Sequence, residues 1–131
     1  MATIIDTLNF NLKTEIDRFR SRPQCVSSVG QFEMLCSDIL KYTPNISSGK
    51  KKIKVGFLAL THGNEIIGLP ILNKIIEALT SEEVKTDCEV FFGLGNLEAA
   101  FASKRFLNKD LNRCFGQRTN ELPEDLRARE I

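Results

Sequence analysis

The sequence is poor in the residue types that build the simplest functional sites. It contains one histidine, one tyrosine and no tryptophan, and its four cysteines include no CxxC pair. Zinc ribbons and thioredoxin-type redox sites need such closely paired cysteines, so the sequence excludes both. We therefore expect reduced thiols in a cytoplasmic protein at Cys25, Cys36, Cys88 and Cys114.

Long apolar runs, a charge excess and the common phosphate-binding motifs are also missing. No stretch approaches the roughly 18 apolar residues that cross a membrane, and the N-terminus lacks the pattern of a signal peptide. Eighteen basic and seventeen acidic residues leave a net charge of +1, which argues against nucleic acid as a partner. Neither GxGxxG nor GxxxxGK[ST] occurs, so a nucleotide-binding module has little support.

The apolar pattern of the first 50 residues predicts two helices. One helical stripe ends before Ser21, and a second ends before Thr43. Residues 1–50 are therefore predicted to be a helical N-terminal extension. The stripes consist of Ile4, Ile5, Leu8, Leu12, Ile16 and Phe19, and of Val29, Phe32, Leu35, Cys36, Ile39 and Leu40.

The remaining residues predict a β-α-β unit followed by another helix. Apolar runs at 53–60 and 88–95 predict two strands, of which the first should be covered on both faces. A helical stripe between them predicts a helix that begins near residues 66–69, with Pro70 in its first turn. The segment 122–131 predicts a further helix that opens at Pro123.

The motif THGNE directly follows the first predicted strand of this unit. Ligands of open α/β sheets bind beyond the carboxyl ends of the strands, and His62 and Glu65 are both ordinary zinc ligands. Gly63 lets the chain turn tightly beside a bound group. The pair alone is a weak indication, because HxxE often arises by chance and the same residues serve as solvated helix caps. A metal site and a surface cap therefore both stay open at this point.

A second polar cluster lies in KRFLNKDLNRCF at residues 104–115. Arg105, Asp110, Asn112 and Arg113 are set among apolar residues there. The planar fork of arginine is suited to two-point contact with a carboxylate. A structural loop in which Asp110 pairs with an arginine explains the same residues equally well.

Together these stretches resemble the succinylglutamate desuccinylase and aspartoacylase family of zinc carboxypeptidase-like hydrolases. The resemblance rests on strand-THGNE-helix, on Gly95-Asn96 after the next strand, on KRF followed by DLNRCF, and on the closing RARE. It implies an α/β fold of three layers, α/β/α, with a mixed, mostly parallel sheet. Residues 51–131 would be the N-terminal part of a zinc hydrolase domain, and residues 1–50 have no assigned role.

The resemblance also implies an activity and a set of site residues. It implies a zinc-dependent amide hydrolase that removes a succinyl or acetyl group from a small N-acylated acidic amino acid. His62 and Glu65 would bind Zn²⁺, and Arg105 would stabilise the oxyanion. Asn112 and Arg113 would hold a carboxylate of the substrate.

The predicted metal site is incomplete, because a catalytic zinc ion takes three protein ligands and this sequence has a single histidine. Family members carry a second histidine and a general-base glutamate further along, which implies that the chain is the inactive N-terminal part of a longer enzyme. The alternative is a non-catalytic folded fragment or interaction domain that self-associates as a homo-oligomer.

Asp110 is expected to orient a neighbouring arginine, and Asn64 and Asn96 are expected to shape turns.

Overall fold

The computed structural model describes residues 11–24, 28–45, 49, 52–116 and 121–131. No helix within these residues is long and apolar enough to cross a membrane. Short 3-10 turns cover Arg22–Gln24 and Leu111–Arg113. The regular elements are α1 (Leu12–Arg20), β1 (Gly30–Cys36), β2 (Ile39–Pro44), β3 (Lys54–Ala59), α2 (Gly68–Thr80), β4 (Glu89–Leu94), α3 (Leu97–Phe101) and α4 (Pro123–Glu130).

The four strands form one mixed sheet in the order β1-β2-β4-β3. The pair β3 and β4 is parallel, as the predicted β-α-β unit requires, with Phe57 opposite Phe92. The pairs β1–β2 and β2–β4 are antiparallel. Within the described residues the mixed sheet is therefore confirmed, but the prediction that it is mostly parallel is wrong. The three-layer arrangement stays a prediction.

The second predicted helix is wrong, because the chain forms a β-hairpin from β1 to β2. Asp38 lies in the turn between the strands with a left-handed backbone (φ 58°). The hairpin joins the rest of the sheet through β2, which pairs with β4. Residues 30–44 thus share a sheet with residues 54–94 and do not form a helical extension.

The physical cause of this error lies in the local sequence pattern. In β1 the inward Phe32 is followed by the outward Glu33, which is the alternation of a half-buried strand. A register shift between Met34 and Cys36 interrupts this alternation. Short apolar runs of this kind match a helical period as well as a strand period, so pairing in the sheet decided the outcome.

The first predicted helix is confirmed where the structure describes it. Ile16 and Phe19 of α1 are buried in the hydrophobic core, and the helix ends at Arg20, before the predicted breaker. Asn73 of α2 donates hydrogen bonds of 3.0 Å to the carbonyl oxygen of Glu15 and 2.7 Å to its carboxylate, which joins the two helices. The predicted helical residues Ile4, Ile5 and Leu8 lie outside the described residues.

Among the strands that the structure describes β3 is an edge strand, although the sequence predicted a strand covered on both faces. Four of its six residues are exposed. Phe57 and Leu58, which point to opposite faces, are 39% and 38% exposed. The cause is position: within the described sheet β3 has β4 on one side only, whereas β4 lies between two strands and buries Phe92 completely.

Candidate metal and substrate site

The THGNE turn leaves β3 at the carboxyl end of the parallel strand pair. Leu60 is buried and left-handed (φ 59°), a conformation that is uncommon for leucine and that turns the chain out of the strand. Its carbonyl oxygen accepts a 2.7 Å hydrogen bond from the amide of Asn96, which follows β4. The turns after β3 and β4 are thereby tied together, and the THGNE turn directly follows its strand, as the sequence predicted.

Two glycines of the motifs are required by close approaches of the backbone. A Cβ atom on Gly63 would overlap the backbone of Ala99 and Ala100 within α3. A Cβ atom on Gly95 would lie 2.8 Å from the carbonyl oxygen of Leu60. Both glycines are therefore explained by packing of the two turns against each other.

His62 is buried, and its ring lies between two carboxylates. Nδ1 is 3.0 Å from Oε1 of Glu65, and Nε2 is 3.1 Å and 3.2 Å from the two oxygens of Asp110. The side chain of Glu65 is 58% exposed, whereas that of Asp110 is 22% exposed. The structure thus brings together the predicted pair and adds Asp110, which the sequence had assigned to an arginine.

Asp110 is fixed by its place at the start of the 3-10 turn Leu111–Arg113. Its Oδ1 accepts a 3.0 Å hydrogen bond from the amide of Asn112, and its Oδ2 lies 3.6 Å from Nη2 of Arg105. Burial opposes its ionisation, but the Asn112 amide, His62 and Arg105 outweigh burial and hold its pKa below the ordinary value of 3.8. Asp110 is therefore an anchored anion beside His62.

The predicted oxyanion-side arginine and the predicted substrate asparagine both reach His62. Nη2 of Arg105 lies 3.1 Å from Nε2 of His62, and Nη1 lies 3.7 Å from Oε1 of Glu65. Nδ2 of Asn112 lies 3.5 Å from the same Nε2 atom. The side chain of Arg105 is 52% exposed, so the arginine borders the solvent beside the His62–Glu65 pair.

Arg113 carries an exposed positive charge beside the site. Its side chain is exposed and makes no hydrogen bond or ion pair with the part of the chain that the structure describes. Its backbone amide donates a 2.9 Å hydrogen bond to the carbonyl oxygen of Asp110, which places it on the same turn as the site. Asn64 is likewise exposed.

The sequence did not predict a role for Glu124, whose buried carboxylate binds the loop between Arg105 and Asp110. This carboxylate is 1% exposed, and its Oε1 accepts hydrogen bonds from the amides of Leu107 (2.9 Å) and Asn108 (3.1 Å) and from the Asn96 side chain (3.3 Å). Asn96 also caps α3 through Ala99, which confirms its turn-shaping role. The sequence located the RARE helix, but no local signal shows that its acid faces inward.

Burial raises the pKa of Glu124, but the hydrogen bonds that it accepts outweigh this effect. The donors are the backbone amides of Asn108 and Leu107 and the side chain of Asn96. They hold the pKa below the ordinary value of 4.5, so the carboxylate is ionised at neutral pH. A buried anion of this kind fixes the backbone of the loop between Arg105 and Asp110.

The geometry of the His62–Glu65 pair fits two positions of one zinc ion. Two ligands at about 2.0–2.1 Å from a tetrahedral ion are about 3.3 Å apart, close to the separation of 3.0 Å between Nδ1 and Oε1. Asp110 lies beyond the other ring nitrogen and cannot share that ion. Within the described ranges no group of three or more His, Cys, Asp or Glu side chains is placed to hold a metal. The pair is therefore a partial ligand set.

Comparison with known proteins places these residues in a family. The profile of the succinylglutamate desuccinylase/aspartoacylase catalytic domain matches residues 52–131. A succinylglutamate desuccinylase of Burkholderia orbicola is 26% identical over 127 residues, which cover 97% of this chain and 37% of that relative. A probable aspartoacylase of Nostoc sp. is 39% identical over 83 residues, which cover 60% of this chain and 28% of that relative.

A solved structure of one such relative has a similar fold. A crystal structure of the succinylglutamate desuccinylase of Vibrio parahaemolyticus superposes with a TM-score of 0.69 at 24% identity, over 82% of this chain and 37% of that one. The chain thus spans about a third of the length of these relatives. Because the matched profile covers more than half of the chain and every residue of the site, the chain belongs to the succinylglutamate desuccinylase/aspartoacylase family.

Proposed function

We propose that the chain carries the zinc- and substrate-binding residues of a deacylase that removes a succinyl or acetyl group from an N-acylated acidic amino acid. The observation that carries this proposal is the convergence of Glu65, Arg105 and Asn112 on the buried ring of His62. The names of the relatives, succinylglutamate desuccinylase and probable aspartoacylase, support the substrate class.

In this proposal His62 and Glu65 hold the zinc ion. Zinc, when bound, supplies Lewis acidity that lowers the pKa of a water molecule and polarises the scissile carbonyl group. The sequence has no other histidine, so these 131 residues offer two of the three protein ligands that a catalytic site normally uses. The 131-residue chain alone is therefore expected to bind zinc weakly and to be inactive.

The two arginines have different proposed roles. One stabilises the reacting carbonyl group, and the other binds the substrate carboxylate. Arg105 lies directly beside the His62–Glu65 pair, so it is placed to stabilise the negative charge that develops on the carbonyl oxygen. Arg113 is exposed on the same turn and can take a substrate carboxylate in a two-point contact. Asn112 is placed to donate a hydrogen bond to that carboxylate.

A hydrolysis screen tests the activity. The longest natural polypeptide that contains these residues would be assayed with N-succinylglutamate, N-acetylaspartate and a neutral N-acyl amino acid, with zinc and with a chelator. We expect chelator-sensitive turnover of an acidic substrate only. Equal turnover of the neutral substrate, or turnover that survives metal removal, would contradict the proposal.

Zinc titration of the 131-residue chain tests the metal site separately. We expect binding weaker than nanomolar that is lost in His62→Ala and kept in Asp87→Asn, an acid far along the chain from the motifs. Nanomolar binding by the parent chain, or hydrolysis above the buffer rate, would mean that these residues complete the site by themselves.

Self-association remains the second candidate function, and the edge position of β3 favours it. An edge strand presents unpaired backbone groups to another chain, and the exposed Leu58 adds an apolar contact. Sedimentation equilibrium of the 131-residue chain measures this directly. A dimer that is lost in Leu58→Lys would support this function, and a monomer at high concentration would contradict it.

A further inference from the structure

We propose that Asp125 of α4 is a positioning residue that holds the turn Leu111–Arg113 in its substrate-binding orientation through Lys109. The inference rests on the proposed function, because it takes Asn112 and Arg113 to bind a carboxylate of the substrate. It assigns a role to a buried acid that takes no direct part in the proposed chemistry.

The first turn of α4 buries two charged side chains in succession. Asp125 is 0% exposed and the preceding Glu124 is 1% exposed, so both carboxylates are removed from water. Burial of an anion is unfavourable unless the anion is paired. The helix N-terminus, where the aligned peptide dipoles favour negative charge, compensates part of this effect. Groups at residues 107–109 that face the two acids compensate more of it.

The two acids bind different parts of this loop. Glu124 accepts the backbone amides of residues 107–108. Oδ1 of Asp125 instead lies 3.4 Å from Nζ of Lys109, whose side chain is 25% exposed. Water and salt screen such a partly buried ion pair less than a pair on the surface. Because Lys109 lies two residues before the turn Leu111–Arg113, this ion pair fixes where the turn begins.

Asp125 also lies close to the residue that ends the turn, which packs against α4. Burial raises the pKa of the Cys114 thiol, and the nearby carboxylate of Asp125 raises it further. The amide of Cys114 donates a 3.0 Å hydrogen bond to the carbonyl oxygen of Leu111, which closes the turn. One carboxylate thus faces the turn at both ends, at Lys109 before it and at Cys114 after it.

The two arginines of the proposed reaction are anchored differently as a result. The carbonyl oxygen of Arg105 accepts the 3.0 Å hydrogen bond from the amide of Gly63, which ties Arg105 to the turn after β3. The amide of Arg113 donates within its own turn, to the carbonyl oxygen of Asp110 at 2.9 Å, so its position follows that turn. Loss of the Asp125 carboxylate should therefore displace Arg113 more than Arg105, and weaken substrate binding more than the chemical step.

Steady-state kinetics on the active polypeptide of the hydrolysis screen test this difference. Asp125→Asn keeps the shape of the side chain and removes its charge. We expect kcat/KM for the best acidic substrate to fall about 10- to 100-fold, mainly through a higher KM, because displacing a binding group by about 1 Å has effects of that order. An unchanged kcat/KM, or a fall carried by kcat alone, would overturn the role of Asp125.

An exposed ion pair of the same residue types supplies the matched control. Asp17 lies 2.6 Å from Lys13 on the surface of α1, so Asp17→Asn removes the same charge from an exposed pair. It should leave kcat and KM unchanged. A rise in KM as large as that in Asp125→Asn would mean that the loss of charge acts without the turn.

Lys109→Met tests the route of the effect, because methionine keeps the length of the side chain and removes its charge. If Asp125 acts through Lys109, KM in the double variant should be no higher than in the more affected single variant. Additive effects of the two substitutions would overturn the route through Lys109.

Amide hydrogen exchange in the 131-residue chain tests the anchoring without substrate or metal. In Asp125→Asn and in Lys109→Met we expect the amides of Arg113 and Cys114 to exchange about tenfold faster or more, while those of β4 keep their rates. A change of equal size in both regions, or none, would overturn the anchoring. Absence of turnover with every acidic substrate would contradict the proposed function, whereas the exchange rates would still decide whether Asp125 holds the turn.

Discussion

The backbone amide of Gly63 donates a 3.0 Å hydrogen bond to the carbonyl oxygen of Arg105. This bond joins the turn that carries His62 to the loop that carries Arg105 and Asp110. The backbone of α3 packs against the same glycine. The two halves of the candidate site are thus held by backbone contacts, and their side chains meet because the turns are locked together.

Gly63→Ala is expected to destabilise the protein and separate these turns. The added methyl group would overlap the backbone of Ala99 and Ala100, which cannot rotate away as a side chain could. Overpacking of this kind costs about 1–3 kcal/mol of unfolding free energy. Urea unfolding followed by circular dichroism measures the loss. Gly56→Ala is the matched control, because nothing lies within 4 Å of its added Cβ atom. Equal midpoints for the two variants would contradict the packing argument.

Glu124→Gln is expected to destabilise the protein at neutral pH and much less in acid. The lowered pKa means that the carboxylate contributes its full stability above about pH 4.5 and loses it as the pH falls through the folded-state value. Replacing a charge-assisted acceptor by a neutral one should cost about 1–3 kcal/mol at pH 7. Denaturant unfolding of parent and variant between pH 3 and pH 7 checks this. Glu83→Gln, an exposed acid, serves as control; a parent–variant difference that stays constant with pH would contradict the argument.

Arg105→Ala is expected to lower kcat more than it raises KM. Its guanidinium lies beside the His62–Glu65 pair. In the proposed reaction, the carbonyl oxygen of a bound substrate would gain charge there in the transition state. Loss of one oxyanion donor typically lowers kcat by about 10²–10³. Steady-state kinetics on the active polypeptide with its best acidic substrate measure the two constants. An unchanged kcat with a raised KM would give Arg105 a binding role instead.

Arg113→Lys is expected to weaken use of acidic substrates while leaving the fold intact. Lysine keeps the charge but loses the two-point contact with a carboxylate, which corresponds to about 1.5–3 kcal/mol for a charged hydrogen bond. The kcat/KM for acidic and neutral N-acyl amino acids would be compared in the variant and in Arg129→Lys, an exposed arginine of α4. Identical values in the parent and in Arg113→Lys would make Arg113 a surface residue.

The sequence correctly predicted those elements whose local pattern agrees with the tertiary structure. The strand at residues 53–60, the helix that begins near Gly68 and the strand at 88–95 are all confirmed, with parallel pairing of the strands. The THGNE turn follows from these elements, because a strand that leads into a helix must turn at the carboxyl edge of the sheet. The pair His62 and Glu65 could be chosen for the same reason.

The hairpin shows where local patterns fail. Its short strands carry apolar residues at spacings that fit a helix, and only pairing of β2 with β4 selects the extended form. A turn signal was available in the sequence, since Ser37-Asp38 separates two alternating runs. The exposure of β3 could not be predicted from its own residues, because it depends on which strands lie beside it.

The sequence by itself determined the family motifs, the strand-helix-strand unit and the residue types at the candidate site. Tertiary structure alone decided that Asp110 faces His62, which lies 48 positions earlier in the sequence, and that the buried Glu124 supports the loop. The physical reason is the sequence distance over which each effect acts. Periodicity and turn chemistry act over a few residues, whereas a buried carboxylate forms its hydrogen bonds only when distant segments pack together.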